Sequence, residues 1–369
     1  MSKNVPDDRI VMTLDAGRTG LKFSAIRGRD ILAGPVTRPT HAEDLEKCLQ
    51  NIIDAFEDLK QLLPMPPAAI SFAFPGPADY PRGIINNLKN FPAFEGEVAL
   101  GPILEDKFQI PVFINNDGDL FAYGEAIAGF LPYVNELLAN AGSPKRYRNL
   151  FGITLGTGFG GGIVHNGELL LGDNSAAGEA WLLRNKLDPS TNAEEAVSIR
   201  AVRRVYAECT GLALQDAPDP KVIFEIGMGQ AEGNKAAAIE AYRQLGEVAG
   251  DALAQGLTLI DGLVVVGGGL SSACPLFMPA LIAAANAIYE PTGFRRLAPC
   301  VFDLQNTDDL QSFLHGDVRC VRVGKSERTI PFDSMRRTAV GLSRLGTSLA
   351  VAVGASAFAL QQLDRHRSA

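Results

Sequence analysis

Residues 10–14 form a short apolar run that enters the polar segment Asp15-Ala16-Gly17-Arg18-Thr19-Gly20, and a second strand-like run follows at 21–26. Strand, tight turn and strand predict a hairpin. Apolar positions then recur with helical period over 43–63. A buried-strand pattern at 69–74 stops at Pro75-Gly76-Pro77, and another at 112–115 stops at Asn116-Asp117. From 118 to 128 the pattern is helical again.

After a polar stretch at 139–148, Phe151-Gly152-Ile153-Thr154-Leu155 leads into Gly156-Thr157-Gly158-Phe159-Gly160-Gly161-Gly162. The second half therefore opens as the first does. Setting Thr13-Leu14-Asp15-Ala16-Gly17 against Thr154-Leu155-Gly156-Thr157-Gly158 makes the Thr, the Leu and the second Gly coincide. Either a divergent duplication of one α/β unit or a chance likeness of two hairpins explains this. Further on, helical sequence at 236–259 precedes the apolar run 263–266, which ends in Gly267-Gly268-Gly269; more helix is predicted at 279–288, and the alanine-rich stretch 349–363 reads as a closing helix.

At 369 residues the chain exceeds what one ordinary core supports, so two domains are expected. A hydrophobic fraction of 46% with 21% charged residues places it among globular proteins. The net charge of -8 argues against a broad phosphate-neutralising surface and hence against nucleic acid as a partner. Lys145, Arg146 and Arg148 read as a solvated loop. The amino terminus has no basic region followed by an apolar one, and no eighteen apolar residues run unbroken, so a cytoplasmic protein with no membrane segment is expected. Cys48, Cys209, Cys274, Cys300 and Cys320 are scattered without a CxxC pair, which gives neither a disulfide framework nor a cysteine zinc site.

Two glycine motifs mislead. Gly156, Gly158 and Gly161 satisfy GxGxxG, with Glu179 downstream where a ribose contact would fall. A dinucleotide fingerprint needs its third glycine to open a helix, whereas here Ile163-Val164 continues a strand toward the turn His165-Asn166-Gly167-Glu168. Gly324-Lys325-Ser326 resembles the end of a phosphate loop, but Arg319 stands where that loop needs glycine. A glycine hairpin can still hold phosphate, because successive backbone N–H groups converge on an anion. Taken singly, each such motif is as readily a plain tight turn.

In order, these segments resemble the ROK family of bacterial sugar kinases and sugar-responsive repressors over nearly the whole chain. Asp15 to Lys22 is similar to its DxGGTxxK phosphate hairpin. Phe74-Pro75-Gly76-Pro77-Ala78-Asp79 and Asn90-Phe91-Pro92-Ala93-Phe94 resemble its sugar-side segments, and Asn116-Asp117 its catalytic pair. Gly156 to Gly162 resembles LGTGxGGG, Ala177-Gly178-Glu179 the sugar-binding AGE segment, and Gly267 to Gly269 the nucleotide-side turn.

The resemblance implies an α/β, two-domain actin-like fold of the sugar kinase, Hsp70 and actin type, made of duplicated units with an interdomain cleft. One lobe would comprise 1–131 plus 346–369 and the other 132–345. It implies ATP-dependent phosphorylation of a hydroxyl on a hexose or amino sugar. Asp117 would be the general base, kept ionised by the helix N-terminus beside it; alone, the same residue reads as a helix cap. Asp15, Gly17, Thr19, Lys22, Gly156, Thr157, Gly158, Gly267, Gly268 and Gly269 would bind ATP. Lys22 is also readable as an exposed strand lysine. Magnesium would be carried with ATP near Asp15, largely through water. Gly76, Asn90, Asn116, Asp117, Glu179 and Glu195 would bind sugar, amides and carboxylates matching a polyol's hydroxyls. The resemblance also implies a homodimer.

The chain departs from the family in two places. Residues 180–204 hold neither His nor Cys, where relatives carry a histidine and a zinc-binding cysteine cluster, so no structural zinc is expected. The family's histidine falls near Trp181 or Leu182, and its later glutamate at Glu194 or Glu195. Arg18 replaces a glycine in the first hairpin, where it adds charge, obstructs nucleotide or points to solvent. Two other functions compete with the kinase. A sugar-responsive repressor would need a DNA-binding module, for which the nine residues before the first strand leave no room. A non-catalytic sugar-sensing regulator is the reading that Arg18 keeps open.

Overall fold

Strand β1 (Ile10–Ala16) is buried along its first five residues and pairs antiparallel with β2 (Gly20–Arg27), Ile10 opposite Arg27 and Ala16 opposite Leu21. The computed structural model that shows this describes residues 7–16, 20–76, 78–86, 88 and 91–368. The turn of this hairpin, with Gly17, Arg18 and Thr19, lies outside the described residues, as does Asn90.

The chain divides into two compact units. The first holds the residues up to Ala128, Leu169–Ala177 and the segment from Leu345 onward; the second holds Gly129–Glu168 and Gly178–Arg344. In the first unit β3 (Asp30–Pro39) adds to β2 antiparallel, while β4 (Ala69–Ala73) and β5 (Val112–Asn115) continue the sheet parallel to β1, in the order β3-β2-β1-β4-β5. Strand β3 escaped the sequence reading because it is mostly half-buried or exposed and shows little hydrophobic alternation.

Helix α1 (Leu45–Gln61), capped by the Asp44 side chain, buries Cys48, Ile52, Ala55, Phe56 and Leu59 against one sheet face. There Phe56 meets Phe23 edge to face at 4.9 Å between centroids. The C-terminal helix (Thr347–Ser368) covers the opposite face, Ala359 packing with Val11 and Ala69. It crosses α2 (Asp117–Ile127) so closely that a Cβ on Gly124 would strike the Ala350 carbonyl and one on Gly354 the Leu120 carbonyl.

In the second unit β6 (Leu150–Leu155) and β7 (Phe159–His165) form an antiparallel hairpin. After helices α3 (Ile199–Thr210) and α4 (Lys235–Ile260) comes β8 (Leu263–Gly267), parallel to β6. Helix α5 (Cys274–Ala285) then leads to β9 (Cys300–Asp303) and finally β10 (Arg337–Leu342), giving the order β7-β6-β8-β10-β9. An antiparallel lead hairpin continued by parallel strands is the plan of the first sheet as well, so the likeness at Thr13 and Thr154 extends to topology. The residue before the glycine turn at 267–269 is the fourth of four apolar strand residues, as expected of a strand buried on both faces.

The helix expected at 279–288 begins earlier and ends earlier, at Cys274 and Ala285. Pro275 takes the first-turn position that suits proline, Pro279 lies inside the helix, and Ile288 belongs to a short strand. Asn166 and Gly167 both have positive φ, 52° and 82°, so the turn after β7 is the hairpin turn read from His165-Asn166-Gly167-Glu168. Among the described residues no helix is long and apolar enough to cross a membrane.

Candidate active site

In the first unit the functional candidates gather at the C-terminal ends of the three parallel neighbours β1, β4 and β5, where open α/β sheets bind ligands. Asp15 lies near the end of β1, in register with Ala73 on β4 and opposite Lys22 on β2. Directly opposed residues share a sheet face, so Asp15 and Lys22 carry opposite charges side by side, the aspartate half-buried and the lysine exposed. The Ser348 Oγ at the start of the C-terminal helix donates to Asp15 Oδ2 at 3.1 Å.

The Phe74 N–H donates to the Asn115 carbonyl at 2.9 Å, which ties the Pro75-Gly76 segment to the end of β5. Gly76 is exposed, and a Cβ there would come within 3.0 Å of the Tyr80 hydroxyl, which itself donates to the Phe74 carbonyl. Asn115 is 1% exposed and its Nδ2 has no hydrogen-bond partner among the described residues. A polar residue closing a buried strand was the available signal for it, and the sequence reading passed over it.

Asn116 is the cap of α2: its Oδ1 accepts from the Gly118 N–H at 2.7 Å. Asp117 is the first helical residue, and its Oδ1 accepts from the same N–H at 2.9 Å, leaving Oδ2 outside these bonds. The capping role thus falls to Asn116. The helix N-terminus does favour the ionised form of Asp117, as expected, but another effect opposes it. Burial pushes its carboxyl above the ordinary aspartate value and the Asp15 charge adds to the rise, against the lowering effect of the Gly118 N–H. Asp117 is itself exposed to solvent, so the rise reflects the protein atoms crowded around a carboxyl at the surface.

In the second unit Gly156, Thr157 and Gly158 make the turn between β6 and β7. The Gly156 N–H donates to the Gly158 carbonyl at 3.0 Å, and the Gly156 carbonyl accepts from the Ile199 N–H at 2.8 Å. The Thr157 and Gly158 N–H groups take no part in these bonds. Glu194 Oε2 accepts from the Phe159 N–H at 3.1 Å and lies 2.6 Å from where a Cβ on Gly158 would stand. The resemblance places the family's later glutamate at Glu194 or Glu195, with Glu195 expected at the sugar. Glu195 pairs with Arg200 at 2.5 Å on the surface, while Glu194 braces the glycine turn.

Gly178, at φ 82°, lies against Gly161 and Gly162 so tightly that a Cβ on Gly161 would collide with the Gly178 carbonyl. This crossing explains why Gly161 carries no side chain and brings Glu179 beside the strand that leaves the turn. The Trp181 Nε1–H donates to Glu179 Oε2. At the end of β8, Gly268 has φ 87° and abuts the backbone of Leu155, whose carbonyl accepts from the Leu270 N–H at 2.9 Å. Because Gly267 is in register with Thr154, the turns at 156–158 and 267–269 are neighbours, with Gly269 exposed. The bonds from Ser348, Glu194 and Trp181 join residues remote along the chain or in irregular turns, and no sequence period announces them.

Among the described residues no group of three or more His, Cys, Asp or Glu could hold a metal ion. Asp15 is a carboxylate at a strand end, near enough to Asp117 for their charges to interact. That donor set suits a magnesium ion that arrives with nucleotide phosphates and keeps most of its water.

The model of the ROK family matches residues 11–290. A solved glucokinase from Parabacteroides distasonis is 53% identical, covering 98% of this chain and 99% of its own, with a TM-score of 0.88. The N-acetyl-D-glucosamine kinase of Vibrio cholerae is 26% identical over 269 residues, 70% of this chain and 83% of that one. A ROK family glucokinase from Streptomyces griseus, solved in complex with glucose and AMPPNP, shares the fold at a TM-score of 0.61 and 20% identity, over 94% of this chain and 98% of its own.

Proposed function

The chain belongs to the ROK family and is an ATP-dependent sugar kinase of actin-like fold, and from that premise we propose that it phosphorylates a hydroxyl of a hexose or amino sugar with Asp117 as general base. The observation that carries the role of Asp117 is its placement. It stands just past the C-terminal end of β5 with one oxygen fixed by the Gly118 N–H, the other outside these bonds, and a pKa raised above the ordinary aspartate value.

In the step proposed, Asp117 Oδ2 accepts the proton of the sugar hydroxyl as that oxygen bonds to the terminal phosphorus of ATP. The bond from that phosphorus to the bridging oxygen breaks, and ADP leaves. Little covalent chemistry falls to the protein, so most of the rate comes from holding the groups in line and from balancing charge. Asn116 and Glu179, with Gly76 and Asn90, would fix the sugar, whose hydroxyls both donate and accept. Glu195 would belong to the same set, and its pairing with Arg200 makes it the weakest member.

The N–H groups of Thr157 and Gly158 offer an anion the kind of cradle that glycine turns provide, and the neighbouring turn at 267–269 offers backbone without side chains for close approach. Asp15 and Lys22, with Gly17 and Thr19, would complete the phosphate contacts. Magnesium, when carried in with ATP, would neutralise phosphate charge near Asp15. A cytoplasmic location and a homodimer accompany this reading.

The test is sugar-dependent ADP release from ATP and magnesium over a panel of hexoses and N-acetylhexosamines, beside an Asp117→Asn control. Glucose comes first, given the 53% identity to the Parabacteroides distasonis glucokinase. Release driven by one sugar and lost in the control supports the reading. Sugar binding without any release would refute it in favour of a sensor.

A further inference from the structure

Trp181 is the one tryptophan of the 369 residues, and it stands in a stretch, 180–204, without histidine or cysteine. It sits in a single helical turn, Ala180–Leu182, that follows directly on Glu179. The turn is pinned at three points. The Ala180 N–H bonds the Gly178 carbonyl at 2.6 Å, the Leu182 N–H bonds the Glu179 carbonyl at 3.1 Å, and the Leu183 N–H bonds the Ala180 carbonyl at 3.1 Å. On one side the partly buried indole packs against the main apolar cluster of the second unit. On the other its N–H donates to Glu179 Oε2.

Packing and hydrogen bond act on different parts of the same ring. The apolar body fixes where the ring lies, and the fixed ring fixes where its donor points. A glutamate side chain loses considerable rotamer freedom on being ordered, and a ligand that must order it pays that cost on binding. Here the indole orders the carboxylate beforehand. Oε2 is engaged and Oε1 is left as an acceptor for a hydroxyl.

We infer that Trp181 is a positioning residue for the sugar: its indole N–H holds the Glu179 carboxylate in the orientation that receives a sugar hydroxyl. The inference rests on the proposed role of Glu179 as a sugar-binding residue. Being the sole tryptophan, Trp181 also makes the protein report its own sugar binding. A hydroxyl arriving on Glu179 changes the polarity around the indole donor, and no other tryptophan dilutes the signal.

The experiment uses the full chain with the sugar that supports turnover, and three variants. Trp181→Phe keeps an aromatic body and removes the donor; Trp181→His restores a ring N–H; Glu179→Gln weakens the acceptor. A hydrogen bond to a charged group contributes about 1.5–3 kcal/mol, so Trp181→Phe is expected to raise the sugar KM roughly 10-fold or more, with kcat and the ATP KM within about 2-fold. Trp181→His should recover part of that loss. Adding Trp181→Phe to Glu179→Gln should cost little beyond the single change, because the pair acts as a unit. Titrating sugar into the protein without ATP should change the tryptophan emission.

An unchanged sugar KM in Trp181→Phe would overturn the inference, and so would equal losses in kcat, sugar KM and ATP KM, which mark a general structural defect. Silent tryptophan emission while calorimetry records sugar binding would also overturn it, and would leave the kinase reading standing. If no sugar binds or is phosphorylated, the kinase reading itself fails and this inference falls with it.

Discussion

Ser348 Oγ donates a hydrogen bond at 3.1 Å to Asp15 Oδ2, joining the start of the last helix to the end of the first strand across 333 residues of sequence. The C-terminal helix thereby does two things for the first unit: it covers one face of the sheet, and it orients a carboxylate at the end of the sheet where we propose that nucleotide binds. Ser348→Ala should cost under about 1 kcal/mol of stability, because the bond is solvent-exposed. It should still raise the KM for magnesium-ATP severalfold, since Asp15 loses its fixed orientation. Steady-state kinetics beside a thermal melt checks both parts.

For Asp117→Asn the expected fall in turnover is about 10²- to 10⁴-fold, the usual weight of a general base, with sugar affinity changed much less. Its effect on stability should run the other way. The folded protein holds the Asp117 proton more tightly than the unfolded chain does, so ionisation of this group costs stability. That cost is absent below the ordinary aspartate value of 3.8, grows as pH rises above it, and is complete once the raised folded-state value is passed. The variant should therefore melt at or above the parent temperature at pH 7, the difference closing in acid. The acid limb of kcat in the parent should lie above the ordinary aspartate range for the same reason.

Gly354→Ala tests the crossing of the C-terminal helix with α2, where a Cβ would meet the Leu120 carbonyl and the neighbouring backbone. The obstacle is backbone and not a flexible side chain, so the helices must separate, at a cost of about 1–3 kcal/mol by the general experience of overpacked cores. A lowered melting temperature with reduced turnover is expected. In an uncrowded helix the same change would stabilise by about 1 kcal/mol through helix propensity, so the sign of the shift decides the matter.

Glu194→Ala removes the acceptor for the Phe159 N–H and frees the turn at 156–158. The ATP KM should rise about 10-fold while the sugar KM changes little, as measured by varying each substrate at saturation of the other. Gly158→Ala should act in the same direction by pressing on the Glu194 carboxylate.

Much of this molecule can be read along the chain. The hairpin at Asp15, the strands ending at Ala73 and Asn115, the long helix α4 and the glycine turn after Val266 all announce themselves. In each, local hydrophobic period and turn chemistry agree with the fold. Glycine motifs in their order also carried the family. What period and motif could not supply was the partner of each side chain. Helix α5 starts at Cys274 with Pro275 in its first turn, five residues before the start expected at Pro279. The raised pKa of Asp117 depends on how much protein surrounds it and on a charge from another strand, Asp15, which together outweigh the lowering effect of the helix end that the sequence makes visible. Ser348 on Asp15, Glu194 on the Phe159 N–H and Trp181 on Glu179 are set by the folded backbone. A sequence pattern records which face of an element is apolar. Only the tertiary structure decides which polar atoms then come within hydrogen-bonding distance.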